Sequence, residues 1–309
     1  MRTALAAITD ELRRLQASGV SSVPVADESL EELRRVVRNR RQAARLAAAA
    51  PSAAAPAAAA PAEPGPARSE AAKPESAGRE APSGGLPPSP RVVLPAGDKA
   101  SRWAALRKQV LGDPVCLAHV RPGKQVVFGV GSIDARIMFV GEAPGGEEEI
   151  QGEPFVGPAG QLLTKMIVAL GLQRSDVYIG NIMNWRPELP VGASGTQVGN
   201  RPPTEAEMAY CLPYLKAQIE VVDPGIIVAL GATAAQGLLG SGSFKALGEI
   251  RGQWKEFAGK PLMVTYHPSY ILRNQSNRSK RTIWEDLLKV MDRAGLPVSE
   301  KQRGYFLER

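Results

Sequence analysis

From about Asp98 onward the chain alternates between short apolar runs and segments with helical spacing, and that alternation limits what it can fold into. Residues 126–128, 137–140, 177–181, 226–230 and 262–265 read as strands; residues 160–170, 205–221, 232–239 and 282–294 read as helices. Strands that are apolar on both faces need cover on both, which predicts an α/β domain with a mostly parallel sheet between helical layers. Thr204-Glu205-Ala206-Glu207 is a capping box opening one helix, whose inward stripe is Met208, Cys211, Leu212, Leu215 and Ile219.

The remaining sequence reads differently. Residues 2–17 and 27–46 carry helical spacing (Leu5, Ile8, Leu12, Leu15; then Leu30, Leu33, Val36, Val37), with acids early in the second segment and Arg38, Arg40, Arg41 and Arg45 at its end, as the helix dipole favours. Residues 48–97 are dominated by Ala, Pro, Ser and Gly and cannot repay the entropy of ordering. The expected organisation is a helical appendage (1–47), a disordered linker (48–97), a catalytic-sized domain (98–297) and a C-terminal tail (298–309).

Among 309 residues, 38 Lys and Arg oppose 31 Asp and Glu, and the net charge of +7 favours a polyanionic partner. Only Cys116 and Cys211 occur, too few for a disulfide framework or a four-cysteine metal site, so a reducing cytoplasmic setting is expected. No apolar run reaches membrane-spanning length, and Asp10 and Glu11 interrupt the place where a signal peptide would need its apolar centre.

Four loops at the expected carboxyl ends of strands carry unusual residues, and in open α/β sheets ligands gather there. Gly141-Glu142-Ala143-Pro144-Gly145 follows a buried strand and leads to Glu148; it is a ligand-facing turn or an ordinary strand-to-helix turn. Phe155, bracketed by Pro and Gly residues before a helix, is placed to stack on a planar ligand or to plug the loop. Asn181 ends a strand and can offer a donor and an acceptor side by side to a base edge, or cap a turn. His267, one of two histidines, sits where Pro268 ends the next ladder; beyond it Arg273, Arg278, Lys280 and Arg281 form a basic loop without acids, suited to phosphates or to plain solvation.

In order, Gly141 to Gly145, Pro154-Phe155-Val156-Gly157 to Gly160, Asn181 with Arg186-Pro187, Leu230-Gly231 and His267-Pro268-Ser269-Tyr270 resemble the family 4 uracil-DNA glycosylases over roughly residues 110–295. The resemblance implies a three-layer α/β/α sandwich with a short central sheet, and monofunctional removal of uracil from DNA. It implies that Phe155 stacks on flipped uracil, Asn181 reads its edge and His267 faces the oxygen that becomes negative. The backbone of Glu142, Ala143 and Pro144 would line the pocket, and Glu142 or Glu148 would order the water. Glu148 or a neighbour would exclude thymine, while Ser269, Arg273, Arg278, Lys280 and Arg281 would contact DNA.

The same resemblance implies a four-iron iron-sulfur cluster held by four cysteines, and here the chain departs from the family. The corresponding places hold Asp113, Cys116, Trp185 and Cys211, and an indole cannot coordinate iron. His119 adds one ligand type without completing a set of four. Folding without iron is therefore expected, Trp185 filling the cluster's volume. The expected partner is uracil-containing DNA, with a protein partner possible at the N-terminal helices, no membrane, and a monomeric state. The rival readings are a non-catalytic DNA-binding or polymerase-associated module and a glycosylase of shifted preference, such as for hypoxanthine.

Overall fold

The computed structural model describes residues 85–189, 197 and 199–307. The appendage at 1–47 and most of the linker lie outside the described residues. Six strands form one sheet: β1 (Val130–Gly131), β2 (Ile137–Gly141), β3 (Tyr178–Asn181), β4 (Ile226–Leu230), β5 (Trp254–Phe257) and β6 (Lys260–Thr265), in the order β1-β3-β2-β4-β6-β5. The four inner strands are parallel, and the two edge strands are antiparallel to their neighbours.

The helices are α1 (Lys99–Leu111), α2 (Pro114–Ala118), α3 (Glu148–Gln151), α4 (Pro158–Ala169), α5 (Glu205–Val222), α6 (Ala232–Leu239), α7 (Leu247–Ile250), α8 (Pro268–Arg273), α9 (Asn277–Arg293) and α10 (Glu300–Arg303). Alternate strand residues feed two cores. Met138, Val140, Ile227, Ala229, Leu262 and Val264 pack with Leu106 and Val110 of α1, Leu215 of α5 and Leu238 of α6. Ile137, Phe139, Ile226, Val228, Leu230 and Met263 pack with Leu163 of α4 and Trp284 and Leu287 of α9. This is the three-layer sandwich: the period of two along each strand supplies both faces.

Several boundaries differ from the sequence expectation. Residues 126–128 are buried but form no strand; the Val127 N–H donates to the Asn184 carbonyl (2.8 Å) and the Asn184 amide returns a bond to the Val127 carbonyl (3.0 Å), so this segment is held by a loop. The basic stretch after His267 is not a continuous loop. Ser276 caps α9 by accepting the Ser279 N–H (3.1 Å), so Arg278, Lys280 and Arg281 stand on its first turns. The capping box at Thr204 is formed in both directions.

Two stretches outside the expected 98–297 domain pack on it. At the end of the expected linker, Leu86, Val92 and Leu94 pack on the first core and Ser89 bonds the Ala209 carbonyl at 2.8 Å. The expected tail contains α10, to which Trp284 donates through the Gln302 carbonyl (2.6 Å), so it is part of the sandwich's surface. Among the described residues no helix is long and apolar enough to cross a membrane.

Candidate functional site

Sheet order decides where a ligand can enter. From β2 the chain crosses to β3 on one side and later to β4 on the other, so a crevice opens beyond the carboxyl ends of these strands. Register brings their last residues together: Gly141 pairs with Asn181, and Leu230 with Thr265. The residues that follow, Glu142, Gly231, Tyr266 and His267, surround a cavity of about 490 Å³. Ala143, Gly145, Glu148, Phe155, Asn181, Asn200, Thr233, Ser269, Tyr270 and Arg273 complete most of its wall.

Phe155 occupies this wall with φ 55°, a left-handed conformation that costs a non-glycine residue about 1–3 kcal/mol unless its surroundings impose it. Two features impose it here. Glu148 accepts the N–H groups of Val156 and Gly157 at 3.0 Å each and that of Gly145 at 3.1 Å, tying the two loops together. Gly160 lets the chain fold back: a Cβ there would lie 1.8 Å from the Phe155 carbonyl oxygen. A side chain on Gly141 would likewise reach 2.5 Å from both the Phe155 ring and Asn181 Oδ1, so that glycine keeps the floor open.

Asn181 is 7 % exposed, and its Oδ1 is buried with no hydrogen-bond partner among the described residues. An orphaned buried acceptor costs about 1–3 kcal/mol, and in a residue that lines a cavity it marks a place for a ligand donor. His267 caps α8, its Nδ1 taking the Ser269 N–H (3.2 Å) and facing the Ser269 hydroxyl (2.8 Å). A nitrogen that accepts carries no proton, so the neutral ring's proton is on Nε2. Burial first, and then the positive Arg273, push the imidazole down to about 4 against the pull of Glu148. It is therefore a neutral donor at pH 7. Its ring lies 5.5 Å from that of Phe155, tilted by 31°.

Burial raises the Glu142 carboxyl above the ordinary glutamate value, and its hydrogen bond with Thr233 offsets only part of this. Behind His267, the Thr265 hydroxyl donates to Asp286 at 2.7 Å, and Arg251 pairs with the same fully buried carboxylate at 2.5 Å, anchoring the end of β6 to α9. Thr233 and Asn200 enter the wall without any local sequence signal that singles them out.

The basic residues are divided. Ser269 and Arg273 line the cavity, whereas Arg278, Lys280 and Arg281 do not. Arg281 is engaged with Glu285 (2.9 Å) and with the carbonyls of Arg303 (2.6 Å) and Tyr305 (3.0 Å), holding the C-terminal segment. Lys280 stands 6.0 Å over the Phe306 ring beside a separate apolar groove.

An aromatic ring, a carboxamide with an unpartnered oxygen, a neutral imidazole and a carboxylate thus share one crevice, and residues 128–288 match the family model for the uracil DNA glycosylase superfamily. The chain belongs to that superfamily. It is similar to the type-4 uracil-DNA glycosylase of Thermotoga maritima, 45 % identical over 166 residues that cover 53 % of this chain and 81 % of the relative. The type-4 uracil-DNA glycosylase of Archaeoglobus fulgidus is 43 % identical over 53 % of this chain and 80 % of its own. A DNA polymerase of Bacillus phage SP01 is 31 % identical over 47 % of this chain but only 14 % of its own length.

In this superfamily member, the four places at which the sequence resemblance put cluster ligands are packed by other chemistry. Asp113 caps α2 through the Cys116 N–H (2.7 Å) and accepts the hydroxyls of Tyr210 (3.0 Å) and Tyr214 (2.7 Å). Burial alone would raise this carboxyl; the Cys116 N–H and the two hydroxyls more than reverse it and keep it ionised below the usual aspartate range. Trp185 is buried between His119, stacked at 4.9 Å, and Tyr210, tilted at 6.0 Å. Cys116 and Cys211 are free thiols with no exposure. Two thiols, an indole and a carboxylate already holding three donors do not fit a four-cysteine cluster. Among the described residues no group of three or more His, Cys, Asp or Glu side chains could hold a metal ion.

Proposed function

We propose that this chain is a DNA-repair glycosylase that takes uracil out of DNA and hydrolyses its N-glycosidic bond, leaving an abasic site. The observation that carries the reading is the buried Oδ1 of Asn181, without a hydrogen-bond partner among the described residues, in a residue that lines the same cavity as Phe155 and His267. Uracil presents a ring N–H beside a carbonyl, which the acceptor and the amide of one Asn side chain can satisfy together.

A base within a duplex is out of reach, so extrusion precedes chemistry, and stacking on Phe155 with the edge contacts to Asn181 offsets an unstacking cost of a few kcal/mol. As the bond to the sugar lengthens, negative charge gathers on the uracil oxygen and positive charge on the sugar. His267 Nε2–H is the donor assigned to the former, and a preorganised donor of this kind contributes about 3–4 kcal/mol. Being neutral, it strengthens its bond as the charge develops without having to deliver a proton.

Glu142 is the carboxylate assigned to the water and the sugar cation, because its oxygens are less committed than those of Glu148. Glu148 acts by holding the Gly145 and Val156 loops around the base, where it also walls the ring carbon that bears thymine's methyl group. Ser269 and Arg273 contact the DNA backbone beside the flipped nucleotide, and Arg278 extends that contact along α9.

The domain works without iron, with the Asp113, Tyr210, Tyr214 and Trp185 packing taking the cluster's structural place. The two unpaired buried thiols fit a reducing cytoplasmic setting.

Incubation with a uracil-containing oligonucleotide, read as alkali-labile abasic sites, tests the activity. Binding without base release would favour a non-catalytic module, and release of hypoxanthine in preference to uracil would favour a shifted specificity. Stoichiometric iron with a broad visible absorption band in the purified protein would refute the iron-free assignment.

A further inference from the structure

The cavity of about 490 Å³ is far larger than a single pyrimidine ring fills. Phe155, Asn181 and the Gly141 loop account for one side of it. The same cavity is lined by Tyr266 and Tyr270, which stack on each other with centroids 4.4 Å apart and planes 15° from parallel. Both rings are half-buried, both line the cavity, and neither hydroxyl has a hydrogen-bond partner among the described residues. Both also pack against the second core.

Arg273 lies one helical turn beyond Tyr270, in the same wall, exposed and without a carboxylate partner among the described residues. An aromatic step followed by an unengaged guanidinium is the chemistry that takes a nucleotide: base on the ring face, phosphate on the cation.

We propose that the Tyr266–Tyr270 pair is a second base subsite, a platform on which the nucleotide adjacent to the flipped uracil stacks while Arg273 takes its phosphate. This rests on the reading of the cavity as a uracil site. In an intact duplex the neighbouring base keeps its own stacking partners, so the platform favours single-stranded or locally opened DNA. The two tyrosines thereby set strand preference as well as affinity.

The test uses the full chain and two fluorescent single-stranded oligonucleotides carrying uracil on a 2′-fluorinated sugar that resists cleavage. One has natural bases on both sides of the uracil; the other has abasic spacers there. Anisotropy should give a Kd for the natural flanks about tenfold or more tighter, the size expected for stacking of one base. Tyr270→Leu should remove most of that ratio, whereas Tyr270→Phe, which keeps the ring, should preserve it. Arg273→Gln should lower the salt-dependence slope of binding by about 0.7, one phosphate contact to a single strand.

Equal wild-type Kd values for the two flanks overturn the platform. So does a Tyr270→Leu loss that is equal on both oligonucleotides, which would mark the pair as packing only. Cleavage of the unmodified uracil strand is measured in parallel. Absence of cleavage would sink the glycosylase reading, while the flank ratio still judges the platform.

Discussion

The Ser269 backbone N–H donates to His267 Nδ1 across 3.2 Å, and this bond selects the tautomer that leaves Nε2 as the donor. With Nδ1 accepting, Nε2 must carry the proton, so the donor is in place before substrate arrives. Replacing His267 by Ala should lower kcat by roughly 100- to 1,000-fold, as expected for loss of one preorganised donor, with KM changed only a few-fold. Single-turnover kinetics on a uracil oligonucleotide check this; a loss confined to KM would place His267 in ground-state binding instead.

The same buried imidazole predicts acid lability. Its folded value is about 4 against an ordinary 6.5, so below pH 6.5 the unfolded chain takes up a proton that the folded chain refuses. Stability from this group is complete above about 6.5 and is lost as pH falls toward 4, by about 3 kcal/mol in all. Thermal melts across that window should converge for wild type and His267→Ala as pH drops, the variant lacking this part of the slope. Parallel curves would mean that His267 is not held neutral.

Glu142 carries the opposite signature. Burial raises its carboxyl, so activity that needs the anion should rise with pH along an acid limb lying above the ordinary glutamate value. Glu142→Gln should abolish that limb and lower kcat about 100-fold or more. Because ionising a buried carboxyl opposes folding at neutral pH, the variant should also melt no lower than wild type. A Glu142→Gln enzyme that kept the wild-type pH profile would move the role to Glu148.

Much of this was legible in the sequence because the informative residues are local. The inner strands are runs such as Ile137 to Gly141 that nothing else explains, and Gly141, Asn181 and His267 stand at their ends. What was not legible depends on contacts distant in the chain. Val126 to Phe128 has a strand's composition, yet a loop residue, Asn184, satisfies its backbone. Arg281 looks like a phosphate ligand until the carbonyls of Arg303 and Tyr305 claim it. Glu148 reads as a catalytic acid, but three N–H groups from two loops converge on it. Spacing can place a carboxylate near a site; it does not say how many donors already occupy it.

Asn181 should separate function from stability. Its Oδ1 is buried and has no hydrogen-bond partner among the described residues, a cost that an apolar side chain of similar volume does not carry. Asn181→Leu should therefore unfold at the wild-type temperature or above it while losing at least about 100-fold in kcat/KM on uracil DNA, since the uracil edge would meet no partner. Circular-dichroism melts and kinetics on one preparation decide this. A variant both inactive and markedly less stable would make Asn181 a structural residue.

Asp113 should behave in the opposite way. It satisfies the Cys116 N–H and the hydroxyls of Tyr210 and Tyr214 in a region with almost no solvent. Asp113→Ala strands three donors at once and removes the cap of α2, a loss of about 2–4 kcal/mol. For a domain of this size that lowers Tm by roughly 5–15 °C. None of these groups lines the cavity, so kcat below the new transition should stay within a few-fold of wild type. Asp113→Asn, which keeps an acceptor for one hydroxyl and the cap, should fall between the two. If Asp113→Ala melted like wild type, the packing at Asp113 would not be what holds α2 against α5, and the replacement of the cluster would have to rest on Trp185 alone.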